Sequence, residues 1–166
     1  MTTIDGKARG GRTAADIPDQ AGRTAVVTGA SGGLGRQTAQ VLAERGATVV
    51  LACRDLGKAE QAAGLIRARA GRDSVVIVHL DLASLASVRQ ASDEILAACP
   101  RLDLLINNAA VMAAPYHRTE DGFEITFATT GREAGGGTSG TRSWRSRAPG
   151  REARPTGAGC GRFPRS

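Results

Sequence analysis

Residues 28–35 read TGASGGLG, set between a β-branched run that starts at Thr24 and a stretch, residues 34–45, with helical periodicity. How this octapeptide folds decides the architecture. A strand that turns directly into a helix gathers free backbone N–H groups and the positive helix end at one point, where an anion of pyrophosphate size is stabilised. Glycine lets the main chain make that turn and lets a ligand approach with no Cβ in between. A glycine cluster alone fits a plain tight turn equally well. The strand before it and the helix after it supply the context that a dinucleotide phosphate site demands.

Outward from the octapeptide, strands and helices alternate. TAVVTG (24–29), ATVVLAC (47–53), SVVIVHL (74–80) and LDLLINN (102–108) are short apolar runs without strict alternation, as expected of strands covered on both faces. Residues 34–45 put Leu34, Thr38, Val41, Leu42 and Arg45 on one stripe, and Gly46 stops that helix. Residues 56–70 carry the weakly apolar face Ala59, Ala62, Ala63 and Ile66, closed by Gly71. Ser84 reads as the N-cap of a third helix with Leu85, Val88, Ile95, Leu96 and Cys99 at helical spacing, ended by Pro100. The expected fold class is α/β: a partial Rossmann fold, with a doubly wound parallel sheet of strand order 3-2-1-4. Right-handed crossovers put the first two helices on one face and the third on the other. The crevice belongs at the carboxyl ends of strands one and four. Strand four is expected as an exposed edge, which makes the domain marginal.

Composition divides the chain into two materials. Residues 1–130 hold 12 Arg and 2 Lys against 14 Asp and Glu, whereas residues 131–166 hold 8 Arg against Glu133 and Glu152, the source of the whole net charge of +6. Beyond Phe127 there is no Val, Ile, Leu or Met. Such a segment buries too little apolar surface to offset an ordering cost of roughly 1–2 kcal/mol per residue, so a disordered Arg/Gly-rich tail is expected. The chain then divides into an N-terminal extension (1–22), a nucleotide-binding half-domain (23–129) and the tail (130–166). No run approaches the roughly 18 apolar residues of a membrane span. The N-terminal stretch lacks an apolar h-region, so a cytoplasmic protein without a membrane partner is expected. Cys53, Cys99 and Cys160 have no paired spacing and read as reduced thiols; with only His79 and His117 to add, no metal site is expected.

Four segments together resemble the short-chain dehydrogenase/reductase family. They are TGxxxGxG with Thr28, Gly29, Gly33 and Gly35; HLDLAS with Asp81; INNAA with Asn107 and Asn108; and DGFEITFAT (121–129). DIPDQAGRTAVVTGASGGLG and VVLACRD are similar to the branch with retinol dehydrogenases and protochlorophyllide-reductase-like bacterial oxidoreductases. The resemblance covers about residues 16–129 and departs from the family's NNAG element at Ala110. It implies a nicotinamide dinucleotide held at the turn by Gly29, Ser31, Gly33, Leu34, Gly35 and Arg36. It further implies contacts from Arg54, from Asp81 beside the adenine, from Leu82, and from Asn108 and Ala109.

Charge argues the choice of coenzyme. An acid about 20 residues past the glycines accepts hydrogen bonds from the ribose 2′-OH and selects NAD. Cys53 stands where the family places that acid, and Arg54 follows. A guanidinium grips a 2′-phosphate through paired hydrogen bonds. Arg36 offers a second positive contact, while Asp55 reads as a helix cap. NADP is therefore expected over NAD; the bland alternative for Arg54 is a solvated surface charge.

For catalysis the resemblance implies a Tyr general acid/base with a Lys four residues on, together with a Ser and an Asn. Residues i and i+4 are neighbours on a helix, and a phenol near its ordinary pKa of about 10 is a poor base at neutral pH. The one tyrosine, Tyr116, has Glu120 four residues on; Lys7 and Lys58 lie far from it, and Thr130 stands where the Asn is expected. No catalytic residue is therefore assigned, and Ser139, Ser143 and Ser146 inherit no role. The leading reading is an NADP-dependent short-chain oxidoreductase by descent, moving hydride between NADP(H) and a carbonyl or alcohol, truncated by a frame shift near residue 130 and catalytically dead. A non-catalytic NADP-binding protein is the second reading. Nucleic-acid association through the tail arginines is the third, with a solvated tail as its bland alternative.

Overall fold

The computed structural model describes residues 13–99, 101–112 and 114–131, the side chain of Arg72 excepted. The expected disordered tail, from residue 132 on, and the first twelve residues of the N-terminal extension lie outside the described residues. So does Pro100, the expected stop of the third helix.

Strands and helices alternate as β1 (Thr24–Thr28), α1 (Gly33–Glu44), β2 (Thr48–Cys53), α2 (Leu56–Ala70), β3 (Val75–His79), α3 (Leu85–Ala98), β4 (Leu104–Ile106) and α4 (Ile125–Thr130). The strands form one sheet in the order β3-β2-β1-β4, every pair parallel, as the alternation predicts. Register is set at Val26, which lies opposite Val50 on one side and Leu105 on the other.

Because successive strand side chains point to opposite faces, the apolar runs feed two cores. Ala25, Val27, Val49, Leu51 and Val75 pack with Ala39, Leu42 and Ala43 of α1 and with Ala59, Ala62, Ala63 and Ile66 of α2. On the other face Val26, Val50, Ala52 and Val78 pack with Ala91 of α3 and with Cys99. The helices thus sit on the faces expected of them. Asp55 caps α2 by accepting the Lys58 N–H at 2.9 Å, and Ser84 caps α3 by accepting the Ser87 N–H.

Two helix faces differ from the sequence reading. Helix α1 buries Gly35, Ala39, Leu42 and Ala43, while Leu34 is 76% exposed. The stripe is rotated because small residues let the helix lie close over the glycine turn. In α3 the buried residue is Ala91, with Val88 and Ile95 half-buried and Leu85 and Leu96 exposed. The cysteine reading also divides: Cys53 is a free, buried thiol, whereas Cys99 is disulfide-bonded, contrary to expectation. Strand β4 is short and its Leu105 is 57% exposed, as expected of an edge. Among the described residues no helix is long and apolar enough to cross a membrane, and no group of His, Cys, Asp and Glu is placed to hold a metal.

Candidate nucleotide-binding site

Strand β1 ends at Thr28, and the chain turns at Gly29, whose φ is +65° and whose N–H donates to the Ala52 carbonyl at 2.9 Å. A Cβ on Gly29 would lie 2.9 Å from the Ala109 Cα, so this glycine is required by the close approach of the two strand ends. Gly32 is the N-cap of α1 and Gly33 opens the helix with φ +53°; a Cβ on either would enter open space. The backbone is therefore bare on the outer side of the turn. The first turn of α1 carries no acidic side chain and Gly32 supplies no side-chain cap, so the positive helix end is left for an anion. Gly35 serves differently: a Cβ there would lie 2.4 Å from Asn108 Nδ2 and 2.7 Å from the Gly29 carbonyl oxygen. It is a packing glycine beneath the turn.

The end of β4 is tied to this turn. Thr28 Oγ1 accepts the N–H of Asn108 and of Ala109, each at 3.0 Å, and Asn108 Nδ2 donates to the Thr28 carbonyl at 3.0 Å. A cleft of about 420 Å³ opens over these groups at the carboxyl ends of the strands. Of the residues singled out from sequence, Gly29, Ser31, Arg54, Asp81, Leu82, Asn108 and Ala109 line it. Gly33, Leu34, Gly35 and Arg36 do not: Gly35 is buried, Arg36 half-buried and Leu34 points away into solvent. The sequence reading missed Lys58, which lines the cleft from the first turn of α2, and Thr129 and Val111 on the opposite wall. Its position three residues past the Asp55 cap was the available signal for Lys58.

Two cations favour an anion in the cleft. Arg54 and Lys58 both border the cleft. Asp55, between them in sequence, stays a carboxylate because the Lys58 backbone N–H donates to it and holds its pKa below the ordinary value, and Lys58 Nζ 3.4 Å from the other oxygen offsets its charge. Burial pushes the Cys53 thiol up, so the end of β2 is neutral at physiological pH. On the β3–α3 loop, the Asp81 N–H donates to Ser87 Oγ and its carboxylate accepts the Ala83 N–H, each at 2.9 Å. Thr130 Oγ1 accepts the Val111 N–H at 3.0 Å and donates to the Val111 carbonyl, which docks α4 beside the strand end. Tyr116 is exposed, with its hydroxyl accepting from Arg118 Nε at 3.3 Å, and it is not among the cleft residues.

Known proteins share this arrangement. The family profile described as short chain dehydrogenase matches residues 23–129. Human retinol dehydrogenase 13 is 51% identical over 106 residues, which is 64% of this chain and 32% of that protein. A solved structure of an uncharacterised protein from Mycobacterium paratuberculosis is 50% identical with a TM-score of 0.63, over 72% of this chain and 41% of that one. The Pseudomonas aeruginosa RhlG/NADP active-site complex is 35% identical with a TM-score of 0.52, over 56% and 36%. The chain spans about a third of the length of the curated relatives it matches. With the profile running unbroken from the first strand through the glycine turn to the helix after β4, this chain belongs to the short-chain dehydrogenase family.

Proposed function

We propose that the cleft binds a nicotinamide dinucleotide, NADP in preference to NAD, and that these 166 residues carry the coenzyme half of an oxidoreductase without its proton-transfer machinery. The observation that carries this reading is that Gly29 and Ser31 of the glycine turn line one cleft together with the cations Arg54 and Lys58, beside a neutral Cys53. Lys58 takes the part that the sequence reading gave to Arg36. The NADP complex of the RhlG relative supports the coenzyme class. Bound there, the coenzyme would supply or accept a hydride. The residues of this chain would bind its pyrophosphate on the turn and its ribose phosphate on the two cations.

Absence of a Tyr-x-x-x-Lys from the sequence is the ground for catalytic silence. Calorimetry with NADP and NAD, beside assays on a panel of aldehydes and alcohols, tests both parts. Saturable NADP binding at least about tenfold tighter than NAD, without turnover, is expected from the charge of a 2′-phosphate. No binding at millimolar NADP defeats the first part, and sustained carbonyl reduction defeats the second. The compositional break near residue 130 supports a frame shift in the coding sequence. Translating the other two frames beyond codon 130 should yield the missing Tyr-x-x-x-Lys, and its absence from both sinks that origin.

A further inference from the structure

An acid pair outside the lining of the cleft is hydrogen-bonded to the start of α3, next to the loop that carries Asp81 and Leu82. Glu120 and Asp121 sit on the turn before α4, where the Gly122 N–H donates to the Thr119 carbonyl at 2.9 Å. The turn reaches back to the start of α3, 36 residues earlier in the chain. Asp121 accepts the Leu85 backbone N–H at 2.7 Å, and Glu120 accepts a short hydrogen bond from the Ser84 hydroxyl. From Ser84 the contacts continue inward. Ser84 Oγ accepts the Ser87 N–H at 3.4 Å, and Ser87 Oγ accepts the Asp81 N–H at 2.9 Å. Asp81 in turn holds the Ala83 N–H, so this chain of side-chain bonds braces the β3–α3 loop alongside its backbone bonds from Leu80 N–H to the Cys53 carbonyl and from Ser84 N–H to the Asp81 carbonyl. Asp81 and Leu82 from that loop line the cleft, as does Thr129 from the helix that follows the acid pair.

We propose that Glu120 and Asp121 are positioning residues for the nucleotide: through Ser84 and Ser87 they hold the Asp81–Leu82 wall against the adenosine half of the ligand. The inference rests on the nucleotide reading of the cleft. The physical reason is the short reach of the loop. Residues 80–84 lie between two rigid elements, so acceptor oxygens fixed at their outer end limit where the loop can go. Removing the outer anchor lets Ser84 turn to water and frees the loop to move.

The test separates the two halves of the ligand. Titrate the full chain by NMR with 2′,5′-ADP and, independently, with nicotinamide mononucleotide. Compare the native chain with the double variant Glu120→Ala/Asp121→Ala, the double variant Glu120→Gln/Asp121→Asn, and Ser87→Ala. The alanine pair and Ser87→Ala should each weaken 2′,5′-ADP by about fivefold, the size typical of coupling through a packed network. The Gln/Asn pair keeps both acceptor oxygens and should recover most of the affinity. Mononucleotide affinity should stay within about twofold throughout, given that the nicotinamide half lies away from this wall. Unchanged 2′,5′-ADP affinity in the alanine pair and in Ser87→Ala, or equal weakening of both fragments, overturns the positioning role. Failure of the native chain to bind either fragment overturns the nucleotide reading first, and this inference with it.

Discussion

Thr28, the last residue of β1, and Asn108, two residues past β4 and 80 residues on in sequence, hold each other twice: the Asn108 N–H donates to Thr28 Oγ1, and Asn108 Nδ2 donates to the Thr28 carbonyl, both at 3.0 Å. The hydroxyl also accepts the Ala109 N–H, so one side chain satisfies two backbone donors where β4 opens into the cleft. Thr28→Val keeps the shape and removes the acceptor. A loss of about 1–2 kcal/mol in urea unfolding is expected, since the Ala109 N–H loses its acceptor while the Asn108 N–H keeps the Ile106 carbonyl at 3.0 Å. Thr28→Ser should restore most of it. A valine variant as stable as the native chain would show that water replaces the hydroxyl.

Two glycines of the turn should respond oppositely to the same methyl group. Gly35→Ala would drive a Cβ into Asn108 and the Gly29 carbonyl, so about 1–3 kcal/mol of destabilisation is expected. Gly32 is extended, and its Cβ would meet nothing, so Gly32→Ala should leave the unfolding midpoint nearly unchanged. If the proposed reading holds and the phosphates lie against that bare backbone, the variant should nonetheless weaken NADP. Thermal melts with and without NADP separate the two effects; equal melting losses in both variants would contradict this assignment.

Arg54 and Lys58 should discriminate between coenzymes without affecting the fold. Each is exposed, so Arg54→Ala and Lys58→Ala are expected to cost little stability. Each should weaken NADP by about tenfold and leave NAD within about twofold, because only NADP brings a second anionic group. The NADP preference should also shrink as salt rises from 50 to 500 mM, by roughly the screening expected of exposed charges. Calorimetry at two salt concentrations reads both.

Acid should loosen the base of the sheet. Burial pushes the Asp103 carboxyl up, but the Thr24 N–H it accepts at 2.9 Å and the Arg101 guanidinium outweigh that, and its pKa is lowered. A carboxyl whose folded pKa is depressed contributes stability above its unfolded value of about 3.9, and that contribution is lost as pH falls through the folded value. Asp55, Glu124 and Asp16 are lowered in the same direction by backbone N–H donors. Unfolding midpoints should therefore be level from pH 7 to 5 and fall below about pH 4. Asp103→Asn should make that fall shallower; an unaltered profile would remove Asp103 from the cause.

The exposed edge has a consequence in solution. Leu105 is 57% exposed on β4, which among the described residues pairs only with β1. Unpaired apolar edges recruit other chains. Leu105→Lys should lower concentration-dependent light scattering while moving the unfolding midpoint by less than about 0.5 kcal/mol. Scattering that persists unchanged would locate the association elsewhere.

Much of this protein is legible in its sequence because it is local. The alternation of apolar runs and helical stretches, the alanine face of α2, and the caps at Asp55 and Ser84 depend on neighbours within a few residues. Strand order follows nearly as directly, since parallel strands joined by helices have few ways to connect. Tertiary structure alone decided which side chains meet at the cleft. Leu34 sits beside the glycines in sequence yet faces solvent, Arg36 stays out of the cleft, and Lys58 enters it. The Thr28–Asn108 tie and the grip of Glu120 and Asp121 on α3 span 80 and 36 residues. Periodicity gives the face a side chain takes on its own element; which distant groups share that face depends on how the elements pack and twist, and no single stretch of chain encodes that.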